Sequence, residues 1–384
     1  MNIPYGRHHI DKADMEAVID VLQRGMLTQG PLVPKFEVEC ANFVGARHAV
    51  AVSNATSGLH LACLALDVGP GSVVWTSAIT FVASANCAIY CGAEIDFVDI
   101  DFNTVNICPK ALAEKLPQAK KTDSLPDLLF VVHMAGLSAD MVAISALSKE
   151  FGFAIIEDAS HAFGGSFESR KIGACHYSDL AVFSFHPVKM ITTAEGGIVT
   201  TNNKRLANKV AMLRSHGIVR GTDMPEPSDG DWHYQQTDMG YNFRMPDLLA
   251  ALGLSQLKKI DDFLSARRAI ASRYDELLSD LPLIKPDILD VEMCSWHLYI
   301  VRLRGTLTRG KHAEIYRALH QQGVKVGLHY MPVYRHPFYR QRGCAQDQCP
   351  IAEQYYAAAF SLPIFYDFTS LDQHRVVEKL RMVI

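Results

Sequence analysis

Residues 48–66 read HAVAVSNATSGLHLACLAL: a short apolar run, a polar turn over Asn54–Ser57, then a stretch dominated by small and apolar residues. Such a stretch reads as a buried strand, a turn and a helix. The same order recurs along the chain. VVW (73–75) precedes a helix predicted near Val82 to Tyr90, and IDFVDI (95–100) follows it. LLFVVHM (128–134) precedes a helix from about Met141, and FAIIED (153–158) precedes a helical stretch beginning in SHAFGG (160–165). LAVFSF (180–185) and GGIVTT (196–201) add two more strands. Apolar strands alternating with helices imply an α/β fold, a mostly parallel sheet with helices on both faces.

At the amino terminus, Asp11 is placed to cap a helix whose Met15, Val18, Ile19 and Leu22 share one apolar face and which Gly25 can end. Beyond the sheet, one long helix is predicted from about Pro246 to Ser279. The remainder reads as a smaller α/β unit, with WHLYIVRL (296–303) and GVKVGLHY (323–330) as strands and a helix from about Lys311. We therefore expect a large domain over 1–260 and a small carboxy-terminal domain over 261–384.

Composition narrows the function. With 384 residues, 49% of them hydrophobic, the chain has more apolar material than one small core needs. Lys and Arg total 37 against 41 Asp and Glu, a net charge of −4 that offers no basic field for nucleic acid or for anionic membrane lipid. A small-molecule partner is expected. MNIPYGRHHIDK lacks the pattern of a signal peptide, and no apolar run is long enough for a membrane span, so a cytoplasmic location is expected. The nine cysteines lie mostly in apolar runs and read as core; Cys344 and Cys349 have no second pair to complete a zinc site, and no metal is expected.

In an open parallel sheet, ligands bind beyond the carboxyl ends of the strands. Three positions there stand out. Asp158 ends AIIED, with His161 three residues on; Ser184 and Lys189 lie in FSFHPVKMITTAEGG; and the Asn54–Ser57 turn opens a helix whose N–H groups attract phosphate. Taken alone, Lys189 reads as a solvated surface charge, Asp158 equally as a helix cap, and His161 as a core histidine. Together they read differently. Lys189 is flanked by Phe185, Val188, Met190 and Ile191, and burial favours the neutral amine that forms a Schiff base. A carboxylate that keeps a pyridine nitrogen protonated is the other requirement of a pyridoxal 5′-phosphate (PLP) site.

Five segments carry a resemblance: EDASHAFG, SFHPVKMITTAEGGIVTT, NATSGLHLA, GYNFRM and HYMPVY resemble, in order and spacing, the DegT/DnrJ/StrS family of sugar aminotransferases. The resemblance implies the aspartate-aminotransferase-like PLP fold type I and a homodimer with shared active sites. It makes Lys189 the residue that carries PLP and Asp158 the partner of the pyridine nitrogen. Ser184 with Ala55 and Thr56 would hold the phosphate, Phe81 would stack on the ring, and Asn242 would reach the partner's phosphate. Phe81 reads equally as a core residue, and Arg244 as a surface or ion-pair residue.

His161 stands where many members have Gln, and Ala55 where many have Gly. Both resemble the subgroup that aminates a UDP-linked 4-keto-6-deoxy-N-acetylhexosamine in pseudaminic acid biosynthesis. Tyr5, the loop Gly25-Met26-Leu27-Thr28 and Gly327-Leu328-His329-Tyr330 resemble its substrate-binding segments, along with Ala55, Ser184 and Asn242. The expected chemistry passes the amino group of L-glutamate to the sugar C4, with pyridoxamine 5′-phosphate between the two halves. UDP-4-keto-arabinose and dTDP-4-keto-6-deoxyglucose remain alternative substrate types, and a non-catalytic PLP-binding regulator an alternative role. Lys189 argues against a sugar dehydratase, whose relatives have histidine there, and the lack of a G-x-G-x-x-G turn argues against a nicotinamide enzyme.

Overall fold

The computed structural model describes residues 2–288, 290, 292–305, 309–344 and 348–384. The main-sheet strands are β1 (His48–Val52), β2 (Val73–Ser77), β3 (Glu94–Val98), β4 (Leu128–Val132) and β5 (Ala154–Asp158). Two short strands, β6 (Ser166–Phe167) and β7 (Arg170–Lys171), form a hairpin before β8 (Leu180–Ser184) and β9 (Gly197–Thr201) complete the sheet. Among the described residues the sheet has seven strands in the order β1-β9-β8-β5-β4-β2-β3. Only β9 runs against the rest, pairing antiparallel with β1 and β8, while the other pairs are parallel.

Strand alternation divides the core between the two faces. Leu128 and Phe130 pack with α3 (Ala55–Ala65) and α4 (Val82–Tyr90), reached after α1 (Lys12–Arg24) and α2 (Leu32–Val44). Leu129 and Val131 pack with α5 (Pro109–Lys121) and α6 (Met141–Phe151) on the other face. At the opposite end of the sheet, Val182 and Val199 join Leu206 and Val210 of α7 (Lys204–Arg214), while Phe183 and Ile198 turn toward Phe36 and Cys40 of α2. Burial on both faces is why these strands read as continuous apolar runs.

After the small ribbon of β10 (Ile218–Val219) and β11 (Gln235–Gln236), the chain forms α8 (Asp247–Leu257) and α9 (Ile260–Leu277). A second, antiparallel sheet of β12 (Leu283–Ile284), β13 (Tyr299–Leu303) and β14 (Ala359–Leu362) follows. Its core includes Tyr274, Tyr299, Leu319 and Val376, from α9, β13, α10 (Arg309–Gln321) and α13 (Ser370–Val383). The short helices α11 (Pro337–Gln341) and α12 (Pro350–Ala358) bring Tyr339 and Tyr355 into a cluster with Ala78, Ile79 and Phe97 from the main sheet's edge.

Four expectations need correction. The long helix from Pro246 breaks into α8 and α9 at Lys258 and Lys259, because tertiary bonds hold the break: Lys259 Nζ reaches Asp14 at 2.6 Å and Asp11 at 2.9 Å. The stretch after β5 is not helical; it turns through Gly164 (φ +88°) into the β6–β7 hairpin. GVKVGLHY is not a strand, because its pairing is divided between two partners: Val324 bridges to Ile3 and Gly327 to Ser361. Finally, α1 is capped by Asp11 as expected, but its apolar face does not enter the core. Met15, Ile19 and Leu22 are exposed, and the buried residues are Asp14 and Val21, since α1 is anchored by the Asp14–Lys259–Gln256 cluster.

Candidate active site

The carboxyl ends of β4, β5 and β8 open into a cavity of about 770 Å³ that also reaches the turn after β1. Lys189 lies in the loop after β8. The Phe185 carbonyl accepts from Thr193 N–H at 3.0 Å and from the Thr192 hydroxyl at 3.1 Å, and Phe185 N–H donates to the Gly196 carbonyl at 2.9 Å. These bonds fold the loop back on itself. Phe185, Met190 and Ile191 are buried, as their apolar character predicts, and Lys189 lines the cavity. Loss of solvent lowers the Lys189 ammonium from its ordinary value of 10.5 to about 8, against the opposing pull of Asp158.

Asp158 is the last residue of β5, and alternation turns its side chain into the cavity. The Ser84 hydroxyl donates to its Oδ2 at 2.6 Å, and Ser160 N–H donates to Oδ1 at 3.2 Å. Thr80 Oγ1 lies 2.9 Å from Ser84 Oγ, so a hydroxyl pair from the start of α4 fixes the carboxylate. Ser84 sits in TSAITFVASAN (76–86), at the start of the helix expected from Val82, and no motif singles it out. Its signal was its place three residues after Phe81, at the start of a helix following a strand.

The Asn54 side chain caps α3 by accepting from Ser57 N–H at 2.8 Å. The first N–H groups of a helix have no partner within it, and those of Ala55 and Thr56 therefore form an anion cradle at the cavity wall. Gly197 opens β9 directly beneath: a Cβ there would lie 2.8 Å from the Ala55 nitrogen, so only glycine lets the turn sit this close. Ser184 lines the same cavity, and Phe81 stands at its edge, 54% exposed, which separates it from an ordinary core phenylalanine.

His161 is buried, with Nε2 3.1 Å from the Tyr330 hydroxyl. Its Nδ1 is buried and has no hydrogen-bond partner among the described residues. Burial and then the nearby Lys189 and His329 hold this imidazole well below its ordinary 6.5. The same causes, burial and Lys189, bring His329 to about 4. His329 Nδ1 is 2.8 Å from Ser361 Oγ, and Tyr5 packs on its ring with centroids 5.3 Å apart.

The structure thus brings Tyr5, Ala55, Thr56, Phe81, Asp158, His161, Ser184, Lys189, His329 and Tyr330 around one cavity. It does not bring all expected residues there. Gly25, Met26, Leu27 and Thr28 form an exposed loop, and Asn242 is exposed, bridged to Ser215. Gly327 and Leu328 lie behind His329; a Cβ on Gly327 would meet the His329 ring. Thr80, His60, Tyr90, His186, Glu195 and Phe243 also line the cavity; His60, His186, Glu195 and Phe243 lie within the segments quoted above, with no role assigned to them there.

A buried ring nitrogen without a partner, an anion cradle that excludes a Cβ, a strand-end carboxylate and an amine near pH 8 make up the donor set that PLP requires. Sequence and structure comparisons agree with it. The DegT/DnrJ/EryC1/StrS aminotransferase family matches residues 8–381. The chain is 37% identical to the spore coat polysaccharide biosynthesis protein SpsC of Bacillus subtilis, over all of this chain and 97% of that protein. It is also 37% identical to a UDP-4-amino-4,6-dideoxy-N-acetyl-beta-L-altrosamine transaminase of Campylobacter jejuni, over 98% of this chain and 96% of the relative. Helicobacter pylori PseC, an aminotransferase of pseudoaminic acid biosynthesis, superposes with a TM-score of 0.90 at 30% identity, covering 100% of this chain and 99% of PseC. The PLP form of the putative sugar aminotransferase Spr1654 from Streptococcus pneumoniae superposes at 0.89 and 26% identity, covering 100% and 98%. The chain is a PLP-dependent sugar aminotransferase of fold type I, a member of the DegT/DnrJ/EryC1/StrS family.

Proposed function

We propose that the chain transfers the amino group of L-glutamate to C4 of UDP-2-acetamido-2,6-dideoxy-β-L-arabino-hex-4-ulose, a UDP-linked 4-keto-6-deoxy-N-acetylhexosamine of pseudaminic acid biosynthesis. The observation that carries this reading is the convergence of Lys189, Asp158 and His161 on one cavity in a chain 37% identical to a transaminase named for that sugar. Bound PLP supplies the electron sink for the pair released when a substrate C–H bond breaks. Lys189 Nζ would hold the cofactor, and its amine would take the donor's α-proton and deliver a proton to the sugar C4. The Asp158 carboxylate would keep the pyridine nitrogen protonated, and its bond from Ser84 holds the carboxylate in place for that role. Ala55 and Thr56 N–H groups and the Ser184 hydroxyl would hold the phosphate, Phe81 would cover the ring, and His161 would serve the ring's 3-oxygen.

Tyr5, His329 and Tyr330 would face the sugar. Gly25–Thr28 and Asn242, exposed on this chain, would complete the cavity of a second copy in a homodimer, with Asn242 on the partner's phosphate. The boundary near residue 260, at the break between α8 and α9, and a cytoplasmic setting belong to the same proposal. Among the described residues, no helix is long and apolar enough to cross a membrane.

The experiment is to purify the yellow protein, bleach it with glutamate, and then offer keto-sugars one at a time. Restoration of colour by the UDP-linked N-acetylated 4-keto sugar, with the 4-amino sugar formed, is expected. Restoration only by UDP-4-keto-arabinose or dTDP-4-keto-6-deoxyglucose would replace the substrate. Failure to bleach with glutamate but bleaching with another amino acid would replace the donor.

A further inference from the structure

Behind His161 lies a second imidazole that the chemistry above does not use. His297 precedes β13 and is buried, and its ring centroid lies 4.4 Å from that of His161 at an interplanar angle of 44°. On the outer side of His161, the Tyr330 ring stacks at 6.1 Å and 30°, and Phe81 follows Tyr330 at 5.9 Å. The four rings form a column from the interior to the mouth of the cavity.

The inner end of the column is anchored. Arg267 on α9 is buried, and its Nη1 donates to the carbonyls of Trp296 at 3.1 Å, His297 at 3.4 Å and Ile364 at 3.1 Å. Trp296 is held at φ +53°, a left-handed conformation uncommon for a bulky residue. The Ser295 hydroxyl donates to the His161 carbonyl at 2.8 Å, which ties the same segment to the loop it supports. Gly136 makes room for it, since a Cβ there would collide with Ser295 Oγ.

Resting on the assignment of Lys189, Asp158 and His161 to the cofactor, we propose that His297, anchored through Arg267, is a positioning residue. Its ring sets the plane of the His161 imidazole and shuts water from its inner face, so that Nε2 stays on the Tyr330 hydroxyl. The charged and titratable groups facing His161 are Lys189, His329, His297 and Tyr330, with Asp158 at the end of the strand that precedes it and Arg267 behind His297. Burial, then Lys189, His161 and Arg267, hold His297 itself well below its ordinary value, so the pair stays uncharged beside Lys189. Water admitted behind His161 would raise that imidazole toward 6.5, and the proton gained would remove the acceptor state of its ring.

The test is a double-mutant cycle on the holoenzyme. His297→Leu keeps bulk but offers no flat face, whereas His297→Phe keeps the face. The leucine variant is expected to lower kcat about tenfold with little change in KM, and to move the acid limb of the kcat profile to higher pH. The phenylalanine variant should restore both. In a His161→Gln background, His297→Leu should cost nothing further, because its effect passes through His161. Additive losses, or a leucine variant with the parent rate and pH profile, overturn the proposal. A phenylalanine variant as impaired as the leucine one does so too. Should the leucine variant not fold, Arg267→Lys, which keeps the charge but withdraws Nη1 from the three carbonyls, runs the same cycle with the same outcomes. Failure of the underlying assignment is separate: borohydride reduction of the parent holoenzyme would then label a residue other than Lys189.

Discussion

Two adjacent carboxylates on β5 make a natural comparison. Glu157 and Asp158 point to opposite faces of the sheet, and each has a histidine near it. On one face, His133 Nε2 lies 2.7 Å from Glu157 Oε2, Ala139 N–H donates to His133 Nδ1 at 3.1 Å, and the Ser178 hydroxyl donates to Glu157. Both ring nitrogens are used, so Nε2 carries the proton and the pair is closed. On the other face, Asp158 accepts from the Ser84 hydroxyl and from Ser160 N–H, while His161 keeps a buried nitrogen without a partner among the described residues. Buried polar groups are normally satisfied. The closed pair is architecture, and the open pair is prepared for something that completes it.

The sharpest way to break this contrast lies at the amine the open pair serves. Lys189→Ala should lower transamination by about 10⁴-fold or more while the fold survives, read by steady-state kinetics and circular dichroism. A parent-like rate would end the assignment. Next come the two carboxylates themselves. Asp158→Asn should lower kcat about 100-fold at saturating PLP and weaken cofactor retention, with little change in thermal stability. Glu157→Gln should do the reverse, leaving kcat within about twofold and costing about 2 kcal/mol of stability in a denaturant titration. If both variants lose rate equally, the contrast between the faces is wrong.

A third test uses pH. Capture of PLP by the apoprotein needs the neutral Lys189 amine, whose protonation falls as pH rises through about 8 rather than the ordinary 10.5. The capture rate should therefore climb tenfold per pH unit up to about 8 and then level off. A climb continuing to pH 10 would mean that the lysine is not desolvated. The smallest effect is expected at the anion cradle, where Asn54→Ala removes the cap on Ser57 N–H. A loss of about 1 kcal/mol and a modestly weaker hold on PLP should follow, the latter measured by fluorescence titration.

Much of this was legible from residues in order. The strand runs LLFVV and LAVFS announced themselves because both faces are covered, and Asp11 and Asn54 cap helices as their chemistry suggests. Lys189 stood out through its apolar neighbours, which the structure buries. Local patterns misled where distant charges intervene. The apolar repeat in α1 suggested a core-facing helix, yet Asp14 is the residue pulled inward, by Lys259 and Gln256 from far along the chain. The same lysine interrupts a helix that periodicity alone continues through.

Sequence by itself determined the α/β class, the strand-end position of Asp158 and the lysine loop, because periodicity and turn chemistry act over a few residues. Tertiary structure alone decided which groups meet. Ser84 reaches Asp158 across 74 positions, and His297 packs on His161 from a segment 136 residues later, through contacts that no local pattern encodes. The protonation of the site was decided there as well. Lys189, His161 and His329 depart from their ordinary values because burial removes water, and burial is a property of the assembled fold.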